Sequence, residues 1–169
     1  GAAPAAEVFE DIRLDTPNYS GRMDNLRAAI LRAQLPLFEA NCKRWNDLYR
    51  TAETLFSRIP GIQLPVRPEQ EFYVGSSIQF RPIGLSHEQI PEFVVACAAQ
   101  GVELKWFGSA DPQGFTSRFD SWRYLGEAPK LPQTLAILSN TLDMRLPLTF
   151  GPADIEVIAQ VIEEVIAGF

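Results

Sequence analysis

The chain has 169 residues, of which 46% are hydrophobic and 21% are charged. This composition is typical of one folded domain with an apolar core, and it excludes a largely disordered chain. The formal net charge of −6 argues against a nucleic-acid-binding protein, because such proteins gain much of their affinity from basic side chains that contact phosphates.

The content of cysteine and histidine excludes a structural zinc site of the Cys/His type. The only cysteines are Cys42 and Cys97, and the only histidine is His87. Their spacing along the chain matches no zinc-binding motif. Both cysteines fall among apolar residues of predicted helices, so we expect buried, reduced thiols, which favours a cytoplasmic location. No secretory signal or membrane-spanning run is visible, so no membrane association is expected. The chain begins with Gly1 rather than Met, and we expect it to be a piece of a longer protein.

The N-terminal third is predicted to be an extended arm followed by one long, kinked helix. Residues 1–17 are assigned to the arm because Pro17 disfavours a helical conformation at Thr16. Apolar residues then recur at helical spacing in two stripes that are offset by about one residue. These stripes are Met23, Leu26, Ile30, Ala33 and Leu37, and then Phe38, Cys42, Trp45, Tyr49, Ala52 and Phe56. Pro36 lies at the offset and predicts a kink there, and Pro60–Gly61 ends the helix.

The next segment reads as strand, helix, strand. Residues 72–81 alternate between apolar and polar side chains, which predicts a half-buried strand after a proline-containing connector at 62–71. Ser86 and Gln89 form a capping-box pattern for a helix that runs to about Gln100. Residues 102–106 alternate again and predict a second strand.

The last third is predicted to contain a loop, a helix, a strand and a final helix. Residues 108–130 are irregular, 131–139 form a short helix, and 142–149 alternate as a third strand. Pro147 indicates that this third strand is at a sheet edge or ends nearby. The final helix begins at Pro152, since proline is favoured at the first helical position.

This order of elements favours the α+β class, as a two-layer α/β sandwich. We expect a small mixed or antiparallel sheet of about three strands, with helices on one face and the long kinked helix at the N-terminus. A sheet this thin is expected to meet another surface on its second face.

Several segments, in order and spacing, resemble the C-terminal small domain of the DegT/StrS family of pyridoxal-phosphate (PLP) aminotransferases. The residues Asn18–Ile30 (NYSGRMDNLRAAI) resemble the family's entry into its long helix. Further along the chain, the family pattern is matched again at Gln34–Leu35, Pro60–Gly61, Gly101–Val102 and Leu146–Leu148. The likeness covers nearly all of residues 18–168.

The resemblance implies a fold type I enzyme, similar to aspartate aminotransferase, of which this chain is one part. Residues 18–169 would be the small domain, and the large domain that carries the PLP-binding lysine would be missing. Such enzymes transfer an amino group from glutamate or another donor to a keto-sugar nucleotide, and they are homodimers with both active sites at the subunit interface. The resemblance therefore implies PLP as the cofactor of the full-length protein, and no activity or PLP binding by this chain alone. The three lysines, Lys43, Lys105 and Lys130, all lack the family's lysine motif.

The resemblance assigns the cofactor contacts to Asn18 and Arg22. The family's asparagine at this position contacts the PLP phosphate of the neighbouring subunit, and an amide with a nearby guanidinium suits a phosphate dianion. This chain departs from the family because Ser20–Gly21 separates Tyr19 from Arg22. The alternative is that Asn18 and Ser20 cap the helix and that Arg22 is a solvated charge.

The resemblance also indicates candidate substrate contacts near the mouth of the active site. The loop Phe115–Tyr124, which follows the segment Lys105–Phe107, interleaves aromatic and basic residues, and in the family this region approaches the mouth of the active site. Arg118 and Arg123 are candidates for holding an anionic group of the substrate, with Trp122 or Tyr124 stacking on it, and Trp106 is a further candidate substrate contact. The alternative is a folded loop whose aromatic side chains fill a small core of its own. The segment Lys105–Phe107 departs from the family pattern, so the small-molecule keto substrate need not be a nucleotide sugar.

Two other classes of function are compatible with the same sequence. One is a stand-alone α+β domain that binds a ligand or regulates another protein. The second is a protein-interaction module that uses the long helix and the open face of the sheet. An upstream segment with a lysine in a Ser/Thr-rich context would favour the enzyme over both.

Overall fold

The computed structural model of the protein describes residues 6–16, 21, 23–110 and 119–169. In this part of the chain, helices and strands follow one another in the order α1 (Ala6–Asp15), α2 (Asn25–Gln34), α3 (Phe38–Phe56), β1 (Ile62–Gln63), β2 (Ser77–Pro82), α4 (Gln89–Ala99), β3 (Lys105–Trp106), α5 (Pro132–Leu138), β4 (Leu142–Arg145) and α6 (Pro152–Ile166). Short 3₁₀ turns occupy Leu35–Leu37, Phe119–Ser121 and Arg123–Leu125.

The strands form one antiparallel sheet with the order β1-β2-β4-β3. The α+β prediction with a small sheet is therefore confirmed, and the described sheet has four strands rather than about three. The additional strand, β1, has only two residues and lies in the segment that the sequence predicted to be a connector. The strand β4 is inside the sheet and ends at Arg145, so Pro147 marks the end of a strand and not a sheet edge.

The strand β2 begins at Ser77, five residues later than the alternating pattern predicted. A side chain of α3 explains the difference, because the Asn46 Oδ1 accepts from the Gly75 N at 2.8 Å and its Nδ2 donates to the Tyr73 carbonyl at 3.2 Å. These backbone groups pair with an amide side chain instead of a neighbouring strand. Phe72, predicted to be on the buried face, is 96% exposed.

The core lies between one face of the sheet and the helices α3, α4 and α6. The ring of Phe56 in α3 packs edge-on against Phe80 in β2, with a centroid separation of 5.5 Å. The largest fully buried side chains are Tyr49, Phe56, Phe80, Phe93, Ile78, Ile90, Leu142, Leu146, Ile155, Ile162 and Cys97. Full burial of each aliphatic or aromatic member contributes roughly 1.5–3 kcal/mol by removing apolar surface from water. This layer therefore holds the domain together.

The predicted kink at Pro36 is confirmed, because the 3₁₀ turn Leu35–Leu37 separates α2 from α3. Proline has no N–H to donate and crowds the preceding turn, so the regular helix is interrupted there. Asp24 caps α2, since its Oδ1 accepts from the Arg27 N at 2.8 Å and its Oδ2 from the Arg27 Nη1 at 2.7 Å. The two helices differ in burial: α3 contributes four buried residues, and α2 has none.

The predicted extended arm over residues 1–17 is wrong for the part that the structure describes, since Ala6–Asp15 is the helix α1. Pro17 restricts the residue immediately before it, and the restriction does not extend back over a whole arm. Val8 and Ile12 stand four residues apart, which places them on one side of a helix. The arm prediction gave the proline too much weight and the helical spacing too little.

The helix α4 begins at Gln89 and uses half of the predicted capping box. The Gln89 Oε1 accepts from the Ser86 N at 2.8 Å, as the pattern requires of the downstream member. Pro91 lies in the first turn, where a missing N–H costs no intrahelical hydrogen bond. The helix therefore tolerates this proline, and Gly101, with φ +85°, follows its end.

Both C-terminal helices lie close to their predicted positions. The helix α5 covers Pro132–Leu138 within the predicted span 131–139. The helix α6 has Pro152 at its first position, and the Asp154 Oδ2 accepts from the Gly151 N at 2.7 Å. This carboxylate satisfies a backbone donor at the helix start and faces the positive end of the helix dipole.

Candidate functional site

The predicted cofactor contacts, Asn18 and Arg22, lie outside the described residues, and so does the predicted substrate contact Arg118. Their roles stay predictions. The other three predicted residues, Trp106, Trp122 and Arg123, are described, and the structure places them in two separate sets of contacts.

Trp106 is the last residue of β3 and is held firmly by its surroundings. Its indole Nε1 donates to the Ser139 carbonyl at 2.8 Å, which ties β3 to the end of α5. The exposed ring of His87 meets the indole edge-on, with centroids 5.0 Å apart. Gly108 approaches the indole so closely that any Cβ at this position would overlap Trp106. The ring is half-buried and its N–H is already used, which leaves the ring face as a possible stacking surface.

Arg123 is bound to the helix α1. Its Nη2 donates to the Asp11 Oδ1 at 2.9 Å, to the Asp15 Oδ2 at 2.8 Å and to the Asp11 carbonyl at 2.6 Å. These acceptors occupy part of the guanidinium that was predicted to hold an anionic substrate group. An anion that binds Arg123 through this nitrogen must compete with the two carboxylates.

Trp122 stacks on Tyr124, with ring centroids 6.0 Å apart and planes 13° apart. Both rings are half-buried. This pair fits the alternative in which the loop's aromatic side chains pack on one another. No described contact connects Trp106 with Trp122 or Arg123.

The sequence prediction missed the contact between α1 and Arg123. The signal that could have found it is the spacing of Asp11 and Asp15, which places two carboxylates on one side of a helix. The assignment of residues 1–17 to an extended arm hid this pattern.

All three lysines of the chain are among the described residues. The Lys43 Nζ pairs with the Asp47 Oδ2 at 2.6 Å on an exposed surface of α3. The Lys105 Nζ lies over the Phe107 ring, 5.1 Å from its centroid, and Lys130 is exposed in a loop. A lysine that carries PLP needs a pocket that holds the cofactor's phosphate and ring around it. Of the three, Lys43 lines a cavity between α3 and residues 72–74, where its Nζ is already paired with Asp47.

The two cysteine thiols differ in their burial. Cys97 is fully buried in α4, and burial raises the pKa of its thiol to about 11, so the reactive thiolate is disfavoured. Cys42 is half-buried, which corrects the expectation that both thiols are buried. The described residues contain no group of three or more His, Cys, Asp or Glu side chains that could hold a metal ion.

A cavity of about 680 Å³ lies between α3 and residues 72–74. Phe38, Cys42, Phe72 and Val74 form its apolar walls, and Lys43 is at its side. None of the residues predicted to contact cofactor or substrate lines this cavity. None of the helices in residues 6–16, 23–110 and 119–169 is long and apolar enough to cross a membrane.

Comparison with known proteins gives one family and a set of similar folds. The model of the DegT/DnrJ/EryC1/StrS aminotransferase family matches residues 4–163. No curated protein matches the sequence.

Three solved structures illustrate the similarity of fold. 3-Amino-5-hydroxybenzoic acid synthase is 19% identical, with a TM-score of 0.68 over 92% of this chain and 44% of its own. The PLP form of Spr1654 from Streptococcus pneumoniae is 17% identical, with a TM-score of 0.70 over 90% of this chain and 38% of its own. DesI, solved in the presence of its TDP-sugar product, is 15% identical, with a TM-score of 0.60 over 78% of this chain and 33% of its own. The chain thus spans less than half the length of these proteins.

Proposed function

This chain belongs to the DegT/DnrJ/EryC1/StrS aminotransferase family, and we propose that it is the C-terminal small domain of a PLP-dependent aminotransferase. The whole enzyme would transfer an amino group to a keto-sugar or a similar keto substrate. PLP supplies the electron sink for amino transfer when it is bound. The chain's own contribution would be to complete the cofactor and substrate pocket across a homodimer, and it would be inactive alone.

The unburied apolar stripe of α2 carries this proposal. Leu26 is 72% exposed, Ile30 52%, and α2 has no buried residue. A helix with an exposed apolar stripe is stable in water only marginally, and the free energy favours covering it with another surface. The large domain of the same protein would cover it, which agrees with the share of the solved relatives that this chain spans.

The lysine environments support the view that the chain is inactive alone. The Lys43 Nζ forms an exposed salt bridge, and the Lys105 Nζ lies against a phenylalanine ring. Lys130 is in an exposed loop. The covalent attachment of PLP would therefore come from the large domain. Asn18 and Arg22 would contact the phosphate of the neighbouring subunit's PLP.

We propose that the substrate is a keto compound, with either a sugar or an aromatic ring as the rest of the molecule. One solved relative is described with a TDP-sugar product and another as a synthase of an amino-hydroxybenzoic acid. Membership of the family is therefore compatible with a sugar and with an aromatic ring. Trp106 and Trp122 would stack on either body, and Arg118 and Arg123 would hold an anionic group.

The exposed face of α2 also favours a second candidate function, a protein-interaction module with an inherited aminotransferase fold. In that case the partner that covers α2 would be a different protein. Such a module, or a stand-alone ligand-binding domain, would need no lysine and no PLP. A cytoplasmic location is proposed for all three alternatives.

The deciding experiment compares the product of the complete native gene with the 169-residue chain. Light scattering gives the mass of each, and visible absorbance gives bound PLP. We expect a longer, yellow, dimeric product and a colourless 169-residue chain. A colourless native protein of about the present length would contradict the enzyme proposal and favour the interaction module. In a yellow full-length protein, Asn18→Ala should weaken PLP retention, and unchanged retention would remove Asn18 from the site.

A further inference from the structure

A cavity of about 450 Å³ lies beside β2, between the segment 65–71 and the C-terminal end of α5. Arg67 and Arg81 supply its charged lining together with Glu71, and Gln79 adds an amide. Val66 and Ile137 are among its apolar lining residues. Its size is within the range of small-molecule sites, which combine apolar walls with a few polar groups. None of the residues predicted to contact cofactor or substrate lines it.

Arg67 is held in place before any ligand arrives. Its guanidinium carbon lies 4.1 Å from the centroid of the Tyr73 ring and 5.3 Å from that of Tyr49. The Arg67 Nε donates to the Tyr49 Oη at 3.1 Å, and the Nη1 donates to the Glu71 Oε1 at 3.1 Å. An arginine that is stacked and hydrogen-bonded loses little further side-chain freedom when it binds a ligand.

The protonation of Arg67 is also secured. Partial burial lowers its pKa, but the hydrogen bonds and charges of Tyr49 and Glu71 outweigh this effect and raise the pKa above its usual value. The guanidinium is therefore cationic at neutral pH.

Both arginines keep donors that no protein group uses within the described residues. The Arg67 Nη2 has no acceptor there, since the bonds of this side chain use Nε and Nη1. Arg81 donates only through its Nη2, to the Gln63 Oε1, which leaves Nε and Nη1 without a protein acceptor. Planar, forked donors of this kind match the oxygens of a carboxylate or a phosphate.

The balance of charge favours an anion in this cavity. Glu71 pairs with Arg67, and no carboxylate of the described residues pairs with Arg81. Asp143 is buried, accepts from the Gln79 Nε2 at 2.5 Å and is not among the residues that line the cavity. The cavity is therefore lined by two arginines and one carboxylate, which leaves one positive charge in excess. Val66 is 96% exposed and Ile137 is 55% exposed, which provides apolar surface for the body of a ligand.

We propose that this cavity binds a small organic oxyanion, a carboxylate or phosphate monoester with an apolar or aromatic body. Arg81 and the Nη2 of Arg67 would hold the anionic group, and Val66 and Ile137 would cover the body. This site goes beyond the proposed transfer reaction, because it takes its ligand without any of the residues assigned to that reaction.

The test is an NMR titration of the ¹⁵N-labelled chain with three probes at constant ionic strength. The probes are phenyl phosphate, phenylacetate and the uncharged benzyl alcohol. We expect at least one of the two anions to shift the amide signals of residues 66–71, 79–81 and 137–141 with saturation, and benzyl alcohol to leave them unchanged. Whichever anion binds more tightly identifies the group that the site prefers. Equal shifts with benzyl alcohol, or shifts spread over the whole surface, would overturn the proposal.

Matched arginine variants separate a built site from general attraction. Arg81→Gln should weaken binding about tenfold, since one charge-assisted contact is lost. Arg58→Gln removes the same charge from an exposed position outside the cavity and should leave the affinity unchanged. Equal affinity in the wild type and Arg81→Gln would contradict the proposal. Arg67→Gln is the weaker test, because loss of the stacked arginine could also disturb Tyr49 and Tyr73.

Discussion

The core layer and the N-terminal helices of this chain are stabilised in different ways. The layer of α3, α4 and α6 on the sheet is built from residues far apart in sequence, and many of its side chains have no exposed surface. The helix α2 has no buried residue, and the described polar contacts of α1 depend on Arg123. The core layer is therefore held by its own buried contacts, whereas α1 and α2 leave apolar side chains exposed in this chain.

Removing a core aromatic side chain should have the largest effect on stability. Phe80 is fully buried against Phe56, so Phe80→Ala should lower the free energy of unfolding by about 3–5 kcal/mol. Leu26→Ala in α2 is the matched control, and it should change this free energy by less than about 0.5 kcal/mol because Leu26 is exposed. Urea unfolding measures both. A large loss for Leu26→Ala would mean that α2 is covered within this chain.

Two glycines test the same comparison through the backbone. A Cβ at Gly75 would overlap the Tyr49 side chain, and the Gly75 N donates to the Asn46 Oδ1. Gly75→Ala should therefore lower the free energy of unfolding by roughly 1–3 kcal/mol. Gly21→Ala, in the N-terminal region, meets nothing within 4 Å and should be close to neutral. Equal values for the two variants in urea unfolding would show that Tyr49 can move aside.

The core layer should also make stability depend on alkaline pH through Cys97. Burial raises the pKa of its thiol from 9.0 to about 11, so between these values the folded state holds a proton that the unfolded state releases. Stability is then fully present below pH 9 and falls as the pH rises toward 11, by roughly 2 kcal/mol for a shift of this size. The slope should be smaller in Cys97→Ala than in the wild type. Identical slopes in urea unfolding from pH 8 to 11 would contradict a protonated, buried thiol.

The sequence predicted the core layer better than the N-terminal region, and the reasons are physical. Local signals, namely apolar spacing, prolines and glycines, report where an element lies, so α3, α5, α6 and β4 lay near their predicted positions. Apolar spacing alone does not report burial, since α2 shows it and has no buried residue. The start of β2 was mispredicted because Asn46, distant in sequence, takes the backbone groups of residues 73 and 75. No local pattern reports such a contact.

The candidate site was less accessible to sequence reasoning, because it depends on contacts between segments that are far apart. The alternation around Trp106 indicated its strand, but its bond to Ser139 depends on how β3 and α5 meet. The partners of Arg123 are more than 100 residues away in the chain. The two-residue strand β1 was missed because two residues are too few to show a periodicity.

The smallest effect on stability is expected from the contact between α1 and the 3₁₀ turn Arg123–Leu125. Asp11 and Asp15 are 67% and 55% exposed, and Arg123 is 46% exposed, so water and salt screen these pairs. Arg123→Gln should change the global free energy of unfolding by less than about 1 kcal/mol. It should nevertheless increase hydrogen exchange in residues 6–15, because α1 is held by this side chain and a helix this short is only marginally stable alone. Arg50→Gln, which removes another exposed partner of an aspartate, is the control and should leave α1 unchanged. If α1 keeps its protection in Arg123→Gln, its apolar side chains rather than the ion pairs hold it. In that case Arg123 would be available to an anionic substrate at little cost.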